Sequence, residues 1–184
     1  MATMPTGQYY KHNTRGQFCP LSNREETMKA LSVRPEWAMP ILQGLKTVEC
    51  RSWKTDHRGD LLICSSSRKE SGTIAGHALC VVNLAKIEQF EQKHLEPAGM
   101  QGFDLEYPSD SYAWVFNALY FIRPFEVKGK LRLFDIDDAL IEYQAEDCSA
   151  YEWLKRYYEP LIYYSKKYEA EDKPFIQGWL NSFK

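Results

Sequence analysis

The chain has 184 residues, 44% of them hydrophobic, with 23 Lys+Arg against 25 Asp+Glu and a pI near 6.1. That supplies one well-packed core and too little for two comfortable ones, and the balanced charge excludes a global field that would attract nucleic acid, leaving a local basic patch as the route to such a partner. No apolar run approaches the roughly 20 residues of a membrane-spanning helix, and the opening MATMPTGQYYKHNTRGQF lacks the apolar segment of a signal peptide.

Residues 1–27 are polar and short on periodicity, and read as an N-terminal arm. MKALSVRP then predicts a short strand that ends at Pro35. EWAMPILQGLK places Trp37, Ile41, Leu42 and Leu45 at helical spacing, with Gly44 near the C-terminal end. Pro40 should kink this helix or confine it to a few turns, because it lacks an N–H and crowds the preceding turn.

TVECRSW alternates and GDLLICSSS is compact and apolar, so both read as strands, joined by turn residues in KTDHRG. GTIAGHALCVVNLAKIE is a further strand or bent pair. QFEQKHLEPAGMQGFDLEYPSD reads as loop with a short helix. SYAWVFNALYFIRPFEVKGKLRLFDID gives two or three strands, with breaks expected near Asn117, Pro124 and Gly129.

Beyond Asp137 the texture turns helical and tyrosine-rich. Ser149 and Glu152 have capping-box spacing, and Phe175, Ile176, Trp179, Leu180 and Phe183 share one helical face. Strands first, one early crossing helix and helices at the end predict an α+β fold: a mixed β-barrel over 28–137 with a helical extension, 138–184, packed on it.

The five cysteines are scattered, odd in number and without a C-x-x-C pair, which fits reduced thiols in a cytoplasmic protein. Four histidines show no ligand spacing, so neither a metal nor a cofactor is expected.

Chemistry concentrates between Trp37 and Lys69. In a strand through Thr47–Trp53, Thr47, Glu49, Arg51 and Trp53 share one face while Val48 and Cys50 point the other way. A core strand does not need an acid, a base and an indole in one row. The bland alternative is an exposed Glu49–Arg51 ion pair worth roughly 0–1 kcal/mol, with Trp53 capping the core. Lys54, His57 and Arg58 in the next turn add positive charge, and Ser65 to Ser67 add short hydroxyls before Arg68 and Lys69. Tyr112 and Trp114 open a later strand. Cations for phosphates, rings for stacking and hydroxyls for base edges are what a nucleotide pocket requires.

The run LSVRPEWAMPILQGLKTVECRSWKTDHRGDLLICSSSRK also resembles the opening of an ASCH domain, the activating-signal-cointegrator homology domain. The resemblance rests on a G-x-K-x-x-E-x-R pattern, here Gly44, Lys46, Glu49 and Arg51, with Trp53, HRGDLLI and the downstream YAWVF…IRPFEVKGKLRLFDI in support. It implies a PUA-like β-barrel with a cleft between barrel and helix, and association with RNA or DNA. It also implies a hydrolase alternative: some bacterial members remove the acetyl group from acetylcytidine with a lysine, a threonine and a downstream glutamate. Lys46 matches that lysine. The threonine position is Glu49 here, and the downstream glutamate has only Glu88 and Glu91 as candidates.

The expected function is therefore binding of RNA, single-stranded nucleic acid or a nucleoside, with no membrane partner. Lys46, Arg51 and Arg58 would hold phosphate, Glu49 would accept from a base or sugar hydroxyl, Trp53 or Trp37 would stack, and Ser65 would add a hydroxyl. The alternative is a small hydrolase or ribonuclease with Lys46 and Glu49 as catalytic residues. Beside an acid, Lys46 is expected to stay protonated, which suits anion binding better than attack. An interaction module with an inert cleft is the third reading.

Overall fold

The computed structural model describes residues 10–12, 18–20, 27–101 and 110–184. The expected arm lies mostly outside these, apart from β1 (Tyr10–His12) and β2 (Phe18–Pro20), which pair antiparallel. A six-stranded sheet follows, built from β3 (Thr27–Val33), β4 (Val48–Arg51), β5 (Gly59–Ser65), β6 (His77–Gln89), β7 (Tyr112–Glu126) and β8 (Leu133–Asp137). Its order is β4-β7-β6-β5-β3-β8, with β3 and β5 parallel and every other pair antiparallel.

The mixed sheet with flanking helices is as expected, but it does not close into a barrel. β4 and β8 are both edges of the hydrogen-bonded ladder. β4 has only four residues and pairs with β7 alone. Toward β3 it offers a side chain instead: Arg51 Nη2 donates to the Ser32 carbonyl at 3.0 Å. The gap that closure would have filled is a cleft.

The parallel β3–β5 pair needs a crossover, and α1 (Pro35–Leu42) is part of it. Pro35 starts the helix, where a missing N–H costs nothing, and Pro40 shortens it as expected. The N–H groups of Leu45 and Lys46 both return to the Pro40 carbonyl, at 2.9 and 3.0 Å, through a turn that needs Gly44 at φ +74°. That turn takes Leu45 out of helical phase. It is 63% exposed and leaves the apolar face assigned to it from spacing.

One face of the sheet packs Leu31, Leu61, Ile63, Val82 and Leu84 against α1. The same cluster takes in Trp153, Leu154 and Tyr158 from α2 (Ala150–Tyr157) and its C-terminal end, and Ile176 and Leu180 from α3 (Glu169–Asn181). The opposite face buries Ala30, Leu62, Cys64, Val81 and Phe134. Central strands covered on both sides explain the unbroken LLIC run. Ser149 caps α2 by accepting from the Glu152 N–H at 3.2 Å, as its spacing predicts. In α3 Phe175 lies one position off the Ile176–Leu180 stripe and is 60% exposed, contrary to the expected face.

The breaks expected at Asn117 and Pro124 are not strand ends. β7 runs through both, and the β6–β7 register skips there, between Val82 and Leu84 and between Ala78 and Cys80. A residue poor at ladder pairing is tolerated at a bulge. The interruption near Gly129 is real and separates β7 from β8.

Candidate functional site

The gap between β3 and β4 holds a cleft of about 390 Å³, near the lower end of the roughly 300–1,000 Å³ usual for small-molecule sites. The end of β3 contributes Ser32, Val33 and Arg34, and α1 contributes Trp37. Lys46, Glu49, Cys50 and Arg51 form the β4 side, with Ser66 and Met100 completing the wall.

Lys46 is fully enclosed. The Pro40 turn aims its side chain inward, where Nζ donates to the carbonyls of Val48 and Ala98, both at 2.7 Å, and reaches Glu49 Oε2 at 3.3 Å. The Trp37 ring centroid lies 5.3 Å from the same nitrogen. Three acceptors use the three protons of an ammonium and leave no lone pair facing the cleft. Burial lowers the Lys46 pKa from its ordinary value, while the Glu49 carboxylate pulls it back up. Burial outweighs Glu49 in the direction of the shift, a contribution that sequence neighbours alone do not reveal.

Glu49 is the hinge of the arrangement. Its other oxygen, Oε1, meets Arg51 Nε at 3.1 Å, so one nearly buried carboxylate is held between two cations. Arg51 thus has two contacts of different kinds, an ion pair to Glu49 whose Nε–H is not aligned on the carboxylate and a hydrogen bond to the Ser32 carbonyl, and its guanidinium forms part of the cleft wall. The lining carries Arg34, Lys46 and Arg51 against one carboxylate, a positive balance inside a chain of net charge −2.

Of the residues singled out from sequence, Lys46, Glu49, Arg51 and Trp37 come together here. Trp53, Arg58 and Ser65 do not. β4 ends at Arg51, so Trp53 escapes strand parity; it packs edge-on against Trp114, with centroids 4.7 Å apart. The Arg58 guanidinium donates to the Thr55 and His57 carbonyls at 2.8 and 2.7 Å and pins its own turn. The Ser65 side chain is fully buried, its hydroxyl has no partner among the described residues, and the next residue, Ser66, faces the cleft instead. Arg68 pairs with Glu70 at 3.5 Å, and Lys54 and Lys69 lie over Tyr112 and Tyr163.

Glu88, weighed as the downstream acid, is instead bonded to Lys86 at 2.9 Å and to His94 at 2.7 Å. Burial pushes the Cys50 thiol up from its ordinary pKa, away from reactive thiolate. Among the described residues no group of three or more His, Cys, Asp or Glu side chains is arranged to hold a metal ion, and no helix is long and apolar enough to cross a membrane.

Sequence reasoning missed Ser32, Arg34 and Met100, and it turned Cys50 to the other face of the strand, whereas Cys50 lines the cleft; Ser66 was within the Ser65–Ser67 run it singled out. Arg34, at the strand-to-helix junction, was within reach of the motif. Met100 was not: its loop is carried to the cleft by the Lys46–Ala98 bond between positions 52 residues apart.

The family model for the ASCH domain matches residues 31–177. Human activating signal cointegrator 1 is 32% identical over 80 residues, which are 44% of this chain and 11% of that protein. The chain thus spans only a small part of that relative. Among solved structures, ASCH from Zymomonas mobilis is 18% identical with a TM-score of 0.47, over 61% of this chain and 89% of that one. A serine-to-alanine mutant of that protein gives a TM-score of 0.48 at 18% identity, over 64% and 99% of the two chains.

Proposed function

The chain belongs to the ASCH-domain family, and from that premise we propose that it binds nucleic acid or a nucleotide in the cleft between β3 and β4. The observation that carries this reading is Arg51. A guanidinium attracted on one side by the Glu49 carboxylate and hydrogen-bonded on the other to the Ser32 carbonyl is placed at the cleft before any ligand arrives. Such preorganisation lowers the ordering cost of binding, and a planar fork of donors suits phosphate or a base edge. Arg34 adds a second cation on the opposite wall, and Trp37 places a ring at the cleft for a base to pack against. The volume admits one nucleotide unit and not a duplex.

Hydrolysis is the second reading, favoured by one observation: burial lowers the Lys46 pKa. The three acceptors around Nζ weigh against it, because a nucleophile or base needs a lone pair directed at substrate. We assign Lys46 to positioning. It holds Glu49, and Glu49 aims Arg51.

Titration with cytidine monophosphate and with a short single-stranded RNA tests the reading. Arg51→Ala should weaken both, and Lys46→Met should weaken them through misplacement of Glu49. Affinity unchanged in both variants refutes a ligand in this cleft. Incubation with acetylcytidine tests the hydrolase alternative: cytidine release that disappears in Lys46→Met would make Lys46 catalytic.

A further inference from the structure

We propose that the β7–β8 loop, Lys128 to Arg132, is a second contact for the phosphate backbone, so that the cleft's ligand is a strand of nucleic acid and not a free nucleoside. This rests on the cleft reading above and extends it from one nucleotide to its neighbours.

Three observations carry it. The loop reads Lys-Gly-Lys-Leu-Arg, three cations in five exposed residues with no acid among them. Among the described residues none of the three makes an ion pair; Lys130 lies 5.9 Å from the Phe134 ring centroid and Arg132 lies 5.6 Å from that of Trp53. Lys130 also acts on Asp135 through space, but among the described residues no carboxylate is paired with any of the three.

The loop is also fastened beside the cleft. A Cβ on Gly129 would press on the Ser32 side chain, which would have to move, so the loop lies directly against the residue whose carbonyl holds Arg51. On the other side Arg132 reaches the Trp53 ring just past the end of β4. The loop therefore runs from Ser32, on the β3 wall, to Trp53, just past the end of β4 and outside the cleft lining.

Its backbone is set for this position. Arg132 has φ +58°, a conformation an L-residue adopts when its surroundings dictate it. Leu131, beside it, is 95% exposed and offers an apolar contact between two cations. A nucleoside has no phosphate to use these groups, and a mononucleotide has one, which Arg51 and Arg34 already serve. A strand leaving the cleft carries one phosphate per nucleotide past the loop.

The test compares cytidine monophosphate with ten-nucleotide single strands of RNA and of DNA of one sequence, on wild type, Lys128→Ala/Lys130→Ala and the charge-preserving Lys128→Arg/Lys130→Arg. Both variants should melt like wild type, since the side chains are exposed. The alanine variant should lose roughly tenfold or more in oligonucleotide affinity near 0.1 M salt, and its salt slope should flatten by about 1.4 units for two lost phosphates on a single strand. Mononucleotide affinity should stay at the wild-type value, and the arginine variant should bind like wild type. A larger loss for RNA than for DNA identifies the strand. Oligonucleotide affinity and salt slope equal to wild type in the alanine variant overturn the inference. Failure of the cleft reading looks different: Arg51→Ala leaves mononucleotide binding untouched, whatever the loop variants do to the oligonucleotide.

Discussion

Two buried polar groups in this molecule invite comparison, the Tyr158 hydroxyl and the Lys46–Glu49–Arg51 row. Tyr158 stands at the end of α2 with its hydroxyl between the Leu79 and Ile122 carbonyls, also accepting the Ile122 N–H at 3.2 Å. Trp153 repeats the theme by donating to the Ile122 carbonyl at 3.1 Å. These groups are neutral, their partners are backbone, and they clip the helices to β6 and β7 at the bulge where the ladder cannot serve itself. Burial pushes the Tyr158 pKa far up, which keeps it neutral. The cleft row buries charge instead, and its last member faces an open cavity. A neutral clip is the cheaper way to join two elements. The proposed use of the positioned guanidinium accounts for the cost of the ionic row.

Substitution should separate the two regions sharply. Glu49→Ala leaves the Lys46 ammonium buried without its counterion, and is expected to cost roughly 3–5 kcal/mol in denaturant melts along with ligand affinity. Replacing the pair, Lys46→Met/Glu49→Leu, should recover most of that stability and none of the binding. A double variant that binds like wild type would mean that Glu49 does not aim Arg51. Tyr158→Phe should cost about 1–3 kcal/mol, the penalty of stranding backbone groups in a dry site, with ligand affinity unchanged. If the comparison is right, Arg51→Ala is the mirror image: stability within about 1 kcal/mol of wild type, since its exposed end is already solvated, and affinity lost. A thermal shift as large as that of Tyr158→Phe would mark Arg51 as a structural strut.

The sequence made the row legible because its members are local. Lys46, Glu49 and Arg51 follow one strand and the turn before it, where spacing dictates geometry. The Pro40 turn and the Ser149 cap were legible for the same reason. What local spacing could not supply is everything decided across the sheet. β7 survives Asn117 and Pro124 because β6 accommodates bulges opposite them. Trp53 turns to Trp114 because β4 stops two residues earlier. Ser32, Ser66 and Met100 meet at the cleft only through strand pairing and the Lys46–Ala98 bond. The open edge is likewise decided across the sheet: β4 pairs with β7 alone and meets β3 only through the Arg51 side chain.

The smallest expected effect concerns the turn that supplies Ala98. His94 is buried, and its Nδ1 accepts the Glu91 N–H at 2.8 Å, so Nε2 carries the proton and donates it to Glu88. The same turn presents the Pro97 carbonyl to the N–H groups of Thr47 and Val48 and the Ala98 carbonyl to Lys46. The hydrogen bond from Lys86, then that from His94, hold the Glu88 carboxyl down at about 2, with Lys93 adding to the pull. A carboxyl depressed in the folded state contributes stability that is fully present above its ordinary value of 4.5 and lost as pH falls toward 2. Glu88→Gln should therefore lower the denaturant midpoint slightly at pH 6, and the two proteins should converge between pH 4.5 and 2. The gap should narrow in high salt, because Lys86 and Lys93 are exposed. Midpoints that differ equally at every pH would show that the carboxylate's charge is idle and that only its shape matters. Loss of ligand affinity in Glu88→Gln at pH 6 would carry the effect further, from this turn through Ala98 and Lys46 to Arg51. The comparison predicts none, since the two carbonyls and Glu49 hold Lys46 whether or not Glu88 is charged.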